Sequence, residues 1–511
     1  MLEPVQGWRG LRVPALDRHW RWPVRRRFTR APQVILNTVG TPSRRLVASY
    51  GHRQTRGVRG AVADAGMRSL ASGSVAGWVP LSASAIAKNP LSFEVIFTLF
   101  LFAGRFKADP RFAWVPVDIT ALLFAITVAQ GVIILLRRRG TLHRPVLALL
   151  LGMMAFILWA LVSLVWSPGV VYAQYKTLLL ATVVFWAMIA PAIIIGPDPV
   201  RLQRFFTAIV AFGMWMAIES VVVVLRGSDV GFVTTFGGHY LGVGRTLGPA
   251  VAVLFVHFLV AERWAGSRWV VLGVVVFFVW VMLEAGGRGP LLAGVATILV
   301  PALVGWGLLR RHRAYILRIG RHIKPVSVIA LLAAVAVVAL VASGYAGVTI
   351  RRLFVLLAQE RGGASAAGRL DFFASAWEVW SKSPIVGAGI GAFPIMIGRP
   401  DATAYPHNLF LETLAELGVV GLILLIAVLA LGLGSAWARR RWAGPATLVA
   451  TMLFVNTFLN AQISGDLTDN RLVFMSLGLL AGSSVAWSGV MRQVQAISDP
   501  DPGPVGATSS R

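Results

Sequence analysis

Long apolar runs separated by short polar connections dominate the chain from about residue 90 onward. A helix that spans a bilayer needs about 20 mostly apolar residues. Runs of that kind fall near 91–104, 116–136, 146–166, 176–195, 205–225, 246–262, 268–284, 289–309, 325–347, 408–435, 443–461 and 471–489. The first is short. The pattern predicts an all-α, polytopic membrane protein of about twelve transmembrane helices. One connection stands out by length, residues 348–407, and long ordered loops are usually functional. The expected division is a basic, disordered cytoplasmic tail over 1–85 and helices one to nine over 86–347. The large loop over 348–407, with amphipathic helices, lies on the periplasmic side. Helices ten to twelve cover 408–490, and a disordered cytoplasmic tail covers 491–511.

Charge then orients the spans. Cytoplasmic connections are enriched in Lys and Arg. Arg137–Arg144, Arg310–Lys324 and Arg439–Arg441 fall on one side if there are twelve spans, together with the N-terminal tail. That side is therefore cytoplasmic and both termini are inside. Arg105–Arg111 is the exception, a positive connection on the outer side.

Composition agrees. The chain is 57% hydrophobic with a mean hydropathy of +0.73. Cysteine is absent, which excludes disulfides, thiolate nucleophiles and cysteine-ligated metal centres. Of the +27 net charge, fifteen Lys or Arg against three acids lie in residues 1–90. Such a tail reads as a solvated segment drawn to anionic lipid rather than to nucleic acid. Residues 1–66 have no core-forming pattern, so a chain beginning at Met67 is expected to insert and work.

This topology sorts the candidate chemistry. His19, His52, His143, His312 and His322 fall on the cytoplasmic side and His257 inside a span, which leaves His239 and His407 facing outward. His407 sits in Tyr405-Pro-His-Asn-Leu-Phe-Leu-Glu, where the large loop meets a span. An imidazole can take or give a proton near neutral pH. Asn408, Glu412 and Glu416 follow at i, i+4 and i+8 and share one helix face. Asn408 or Glu412 is a candidate to support that imidazole.

Three arginines lie on the same side. Arg245 is in Gly242-Val-Gly-Arg-Thr-Leu-Gly248 and Arg288 in Glu284-Ala-Gly-Gly-Arg-Gly-Pro290. Arg369 opens a segment running to Lys382. An arginine so close to hydrocarbon is normally paired or functional. A salt bridge to Glu284 would explain Arg288 structurally; a guanidinium fork for phosphate oxygens would explain it functionally. In 369–382, Phe372, Phe373, Ala376, Trp377 and Trp380 form one expected face, with Arg369, Asp371, Ser375, Glu378 and Lys382 opposite. A turn-rich strip, Ser383–Pro394, leads on toward His407.

Together these features resemble the bacterial O-antigen ligase and O-antigen polymerase superfamily. The resemblance rests on Arg288 among glycines before a span and Arg369 before a Trp-bearing helix. It also rests on Ser-Pro-x-x-Gly-x-Gly-x-x-x-Phe and on His-Asn-x-x-Leu-x-x-x-x-Glu-x-Gly. It covers residues 240–435; Gly287 stands where the family commonly has Ser. The resemblance implies a cytoplasmic (inner) membrane protein of about twelve helices with a periplasmic cap. It also implies inverting, metal-independent transfer of a glycan from undecaprenyl diphosphate to an acceptor hydroxyl, without a cofactor. The chemistry of the residues agrees. Arginines can stabilise a diphosphate leaving group, with His407 as base and Arg288, Arg369 and Arg245 as diphosphate-binding residues. Asp499-Pro-Asp501 falls on the cytoplasmic side, and no outer Asp-x-Asp suggests a metal site. The acceptor is a lipid, core sugar or protein in a ligase, and another lipid-linked glycan in a polymerase. A lipid-glycan flippase, or a sugar transferase using Asp109 or Asp118, are the readings from other classes.

Overall fold

A computed structural model of the chain describes residues 81–137, 142–227, 232–260, 265–308, 347–358, 364–438 and 444–498. Residues 1–80, the Arg310–Lys324 loop, the expected span at 325–347 up to residue 346, Arg439–Arg441 and 499–511 lie outside the described residues. Among the described residues the regular structure is all helical. The principal helices are α1 (Phe93–Phe102), α2 (Ile119–Arg137), α3 (Arg144–Val162), α4 (Val171–Leu179), α5 (Pro199–Leu225), α6 (Leu241–Val260) and α7 (Ala265–Glu284). They continue with α8 (Arg288–Leu308), α9 (Val348–Ala358), α10 (Ala364–Lys382), α11 (Leu409–Ala438), α12 (Pro445–Ala461) and α13 (Arg471–Ser498). Every expected span but 325–347 falls on one of them.

Among the described residues, six helical segments are long and apolar enough to cross a membrane: Ile119–Arg137, Arg144–Val165, Val171–Ile195, Pro199–Leu225, Leu241–Leu259 and Leu409–Ala438. Over the first expected span, α1 covers 10 residues. Two boundaries differ from expectation. A helical turn at Ala83–Ala87 straddles the end of the N-terminal tail, and α13 runs on to Ser498, past 490.

Packing follows the rules for helices in lipid, where small residues let backbones approach. Gly478 and Gly482 on α13 face the 188–196 segment, and a Cβ at either would collide with the carbonyl oxygen of Met188 or Ala192. That segment continues α4 through two π turns, Leu180–Val184 and Pro191–Ile195. The bundle interior is aromatic. Phe97 lies near Phe100 and Phe205, and Phe102 stacks on Phe212 at 4.9 Å.

The connections expected on the outer side touch one another. Asp401 accepts hydrogen bonds from the amides of Val170, Val171 and Tyr172 at the head of α4. Gly286 donates to Thr349 on α9, Asn408 to the carbonyl of Gln462, and Gly237 packs against Ala108. The charge exception at 105–111 also has a local cause. Lys107 pairs with Asp118, and Arg111 with Asp109 and Glu219, so most of its positive charge is neutralised where it stands.

Helix α11 is broken. Gly418 has φ 66° and ψ −167°, a conformation open essentially to glycine alone. The break frees backbone groups that lipid could not satisfy, and the Ser383–Pro394 strip supplies partners. Ala388 and Gly389 donate to the carbonyls of Ala415 and Glu416, and Val419 and Val420 donate to those of Pro384 and Ile385. The Trp159 indole donates to the carbonyl of Leu417 at 3.0 Å. The glycines of the strip, Gly387, Gly389 and Gly391, all have positive φ.

Candidate active site

The turn between α7 and α8 carries the first arginine. Gly286 has φ 85°, and Thr349 bridges it to α7 by accepting from its amide and donating to the carbonyl of Met282. Arg288 opens α8, is 8% exposed, and donates to the carbonyl of Arg352 at 3.2 Å. Arg352, on α9, donates to the carbonyl of Gly286 at 2.6 Å. Turn and helix are thus laced together by two arginines and one threonine.

Arg288, Arg352 and Arg369 line one small cleft, with Tyr240, Leu241, Gly289, Pro290, Ile463 and Ser464. Three guanidiniums and no carboxylate contribute to that lining. Arg369 comes from α10, and its Nε is buried with no hydrogen-bond partner among the described residues. Burial, and after it the charge of Arg352, depress the basicity of Arg369. The face of α10 that packs is Phe372, Ala376 and Val379, against Phe393 and Ala415. Trp377 is 57% exposed, so the expected face is rotated and Val379 replaces Trp377 on it.

His407 stands beside this cleft. Its φ is 63°, a left-handed conformation in which His is one of the enriched non-glycine residues. The ring packs edge-on against Tyr405 at 4.7 Å and Phe372 at 5.8 Å, and Nδ1 is buried without a partner among the described residues. Burial, then the charges of Arg369 and His239, push its pKa down to about 4. The imidazole is therefore neutral at pH 7. His239, its ring tilted against Tyr240 at 4.3 Å, also has its basicity lowered by burial and then by Arg105, Arg369 and Arg352. The two histidines both lie in the field of Arg369.

The other expected site residues are engaged elsewhere. Asn408 Oδ1 accepts from the amides of Phe410 and Leu411 and so caps α11. Glu412 pairs with Lys176 and accepts from the amide of Leu467. Neither contact reaches His407. Arg245 is buried and donates to the carbonyl of Ser464 and to Asn470 Oδ1; it lines an adjacent polar cleft with Asn456, Asn460 and Asp469. Asp109 and Asp118 are held in the ion pairs described above. Among the described residues no three His, Asp or Glu side chains gather as a metal-binding group.

Sequence reasoning missed Arg352 and Lys176. Arg352 follows Arg351 at the start of the large loop, so nothing in its local pattern separates it from a positive helix end. Lys176 marked the edge of an expected span. A lysine in an apolar run, opposite Glu412 and Glu416 spaced i, i+4, was the signal for it.

Among the described residues the chain is all helical, with apolar helices long enough to cross a membrane and an arginine-lined cleft. Residues 273–426, under a third of the chain, match the family model described as O-Antigen ligase. Over that stretch the chain is similar to O-antigen ligases. No curated protein matches the chain.

Proposed function

We propose that this protein transfers a glycan from undecaprenyl diphosphate to an acceptor hydroxyl at the outer face of the bacterial cytoplasmic membrane, with both of its termini inside. The observation that carries the reading is the juxtaposition of the cleft holding Arg288 and Arg369 with His407, whose proton affinity Arg369 lowers. Further support comes from the family match across both arginines and the histidine, and from the mutual contacts of the outer connections.

The acceptor oxygen attacks the anomeric carbon on the face opposite the diphosphate. The carbon–oxygen bond to phosphorus breaks with its electron pair going to the leaving diphosphate, and the acceptor proton passes to His407. Buried Nδ1 leaves Nε2 as the nitrogen a hydroxyl would meet. Inversion follows from the single displacement. Arg288 and Arg369 stabilise the charge that grows on the leaving group, without a metal ion. Arg245 contributes indirectly, holding the 462–470 connection whose Ile463 and Ser464 form a wall of the cleft.

The test uses purified full-length protein, an undecaprenyl-diphosphate glycan and candidate acceptors, with and without chelator. His407→Ala should lower turnover by roughly two to four powers of ten while keeping donor affinity; Arg288→Ala should lower both. Because His407 is neutral down to about pH 4, the acid limb of kcat/KM should lie near that value rather than near 6.5. Donor loss in His407→Ala equal to that in Arg288→Ala would sink the division of roles, and inhibition by chelator would sink metal independence. A lipid, core-sugar or protein acceptor marks a ligase; a second lipid-linked glycan marks a polymerase.

A further inference from the structure

We infer that Arg352 is a third diphosphate-binding residue, one that selects the departing lipid diphosphate over a single phosphoryl group. This rests on the donor chemistry proposed above. Arg352 lines the same cleft as Arg288 and Arg369, and its guanidinium is fixed from two directions. Nη1 donates to the carbonyl of Gly286, and the planar group lies over the rings of Phe232 at 4.8 Å and Tyr240 at 5.1 Å. A guanidinium has five N–H donors. The two ring contacts and the one hydrogen bond to Gly286 leave further N–H donors for an anion. A side chain so held loses little freedom on binding.

The charge count gives this position its chemistry. A lipid–diphosphate–glycan carries two ionised phosphoryl oxygens, one on each phosphorus. Breaking the glycosyl bond adds a third ionisable oxygen, on the phosphorus that held the sugar. Two guanidiniums match the donor; three match the leaving group. A cation that finds its counter-charge only as the bond breaks favours the transition state over the ground state. Burial, and after it the charge of Arg352, depresses the basicity of Arg369, as burial and then Arg352 and Arg369 do for Arg288, and an incoming polyanion would relieve the repulsion.

The experiment measures binding of undecaprenyl diphosphate and undecaprenyl monophosphate to the purified full-length protein in detergent. It compares wild type, Arg352→Gln, Arg352→Lys, Arg288→Gln and Arg351→Gln, the last an exposed neighbour on the same helix. Arg352→Gln should lose roughly tenfold or more in diphosphate affinity and much less in monophosphate affinity. Arg352→Lys should fall between, and Arg351→Gln should match wild type. Equal losses for the two lipids would show that Arg352 only supports the Gly286 turn, and equal losses in Arg351→Gln and Arg352→Gln would show a general surface-charge effect. Either result overturns the inference. Wild-type binding by Arg352→Gln beside a loss in Arg288→Gln would overturn it too, while leaving the donor reading intact. Wild-type binding by both variants would remove the donor reading itself. Should Arg352→Gln fail to melt cooperatively, Arg352→Lys decides by the same discrimination between the two lipids.

Discussion

Two of the charge clusters among the described residues are built on opposite principles. In the cleft, Arg288, Arg352 and Arg369 line a common space to which no carboxylate contributes. In the bundle, Lys176 is 0% exposed and pairs with Glu412 and with Glu416, the latter at 2.7 Å, at 1% and 2% exposure. Tyr172, one turn earlier on α4, donates to Asp466 at 3.0 Å. The first cluster concentrates one sign of charge, which costs stability. The second joins opposite signs from α4 and the N-terminal half of α11, just before the break at Gly418. Charge that repels itself is arranged for a partner of the other sign, whereas charge that is internally paired is arranged for position. The lysine cluster fixes the helix that begins beside His407, and the arginine cleft is the site proposed above for the diphosphate.

The largest expected effect breaks the lysine cluster. Lys176→Met leaves two carboxylates buried without their cation and should destabilise the fold by about 3–5 kcal/mol, measured by thermal unfolding in detergent. The triple variant Lys176→Met, Glu412→Gln, Glu416→Gln removes all three charges and should recover much of that loss. Arg369→Gln, which removes a like charge, should leave the melting temperature unchanged or slightly raised. Were Lys176→Met to melt like wild type and Arg369→Gln to melt far lower, the two clusters would have been assigned backwards.

Much of this contrast was legible in the sequence, and its gaps have physical causes. The helices under most of the apolar runs follow from periodicity, because that is a local property, and Arg288 and Arg369 drew attention as arginines close to hydrocarbon, which the cleft brings together. Arg352 was not legible. Its partners Gly286, Phe232 and Tyr240 lie far away in the chain, and only the fold brings them together. Asn408 drew attention through its neighbour His407, yet its position one residue before the helix is that of an N-cap. The i, i+4 spacing of Glu412 and Glu416 was read correctly as one face. That face turns to Lys176 rather than to the imidazole, because a buried carboxylate needs a cation more than it needs a histidine ring. The glycine strip was legible as turns but not as the partner of a broken helix, since the break itself requires a conformation that sequence pattern does not encode.

A smaller effect is expected where the strip meets α11. Gly418→Ala would place a Cβ against the carbonyl of Ile385 in a backbone conformation closed to alanine. Strain of this kind costs about 1–3 kcal/mol. Because the strip and the broken helix exchange four backbone hydrogen bonds, the loss should appear as faster protease cleavage within 383–394 as well as lower stability. Unchanged cleavage and stability would mean that the two segments are held by something other than this exchange.

The smallest effect separates support of a helix from support of a base. Asn408→Ala removes the side-chain acceptor for the amides of Phe410 and Leu411, at a cost of about 1 kcal/mol. Asn408→Asp keeps an acceptor at the same place and adds a negative charge at a helix N-terminus, where it is favourable. It should therefore match wild type in stability, whereas Asn408→Ala should not. If Asn408 acts only as a cap, the kcat/KM acid limb assigned to His407 should stay where it is in Asn408→Ala. An added carboxylate next to the histidine should move that limb upward in Asn408→Asp, because a nearby negative charge favours the imidazolium. A shifted limb in the alanine variant would instead show that the amide, despite its bonds to the helix, helps to set the proton affinity of His407.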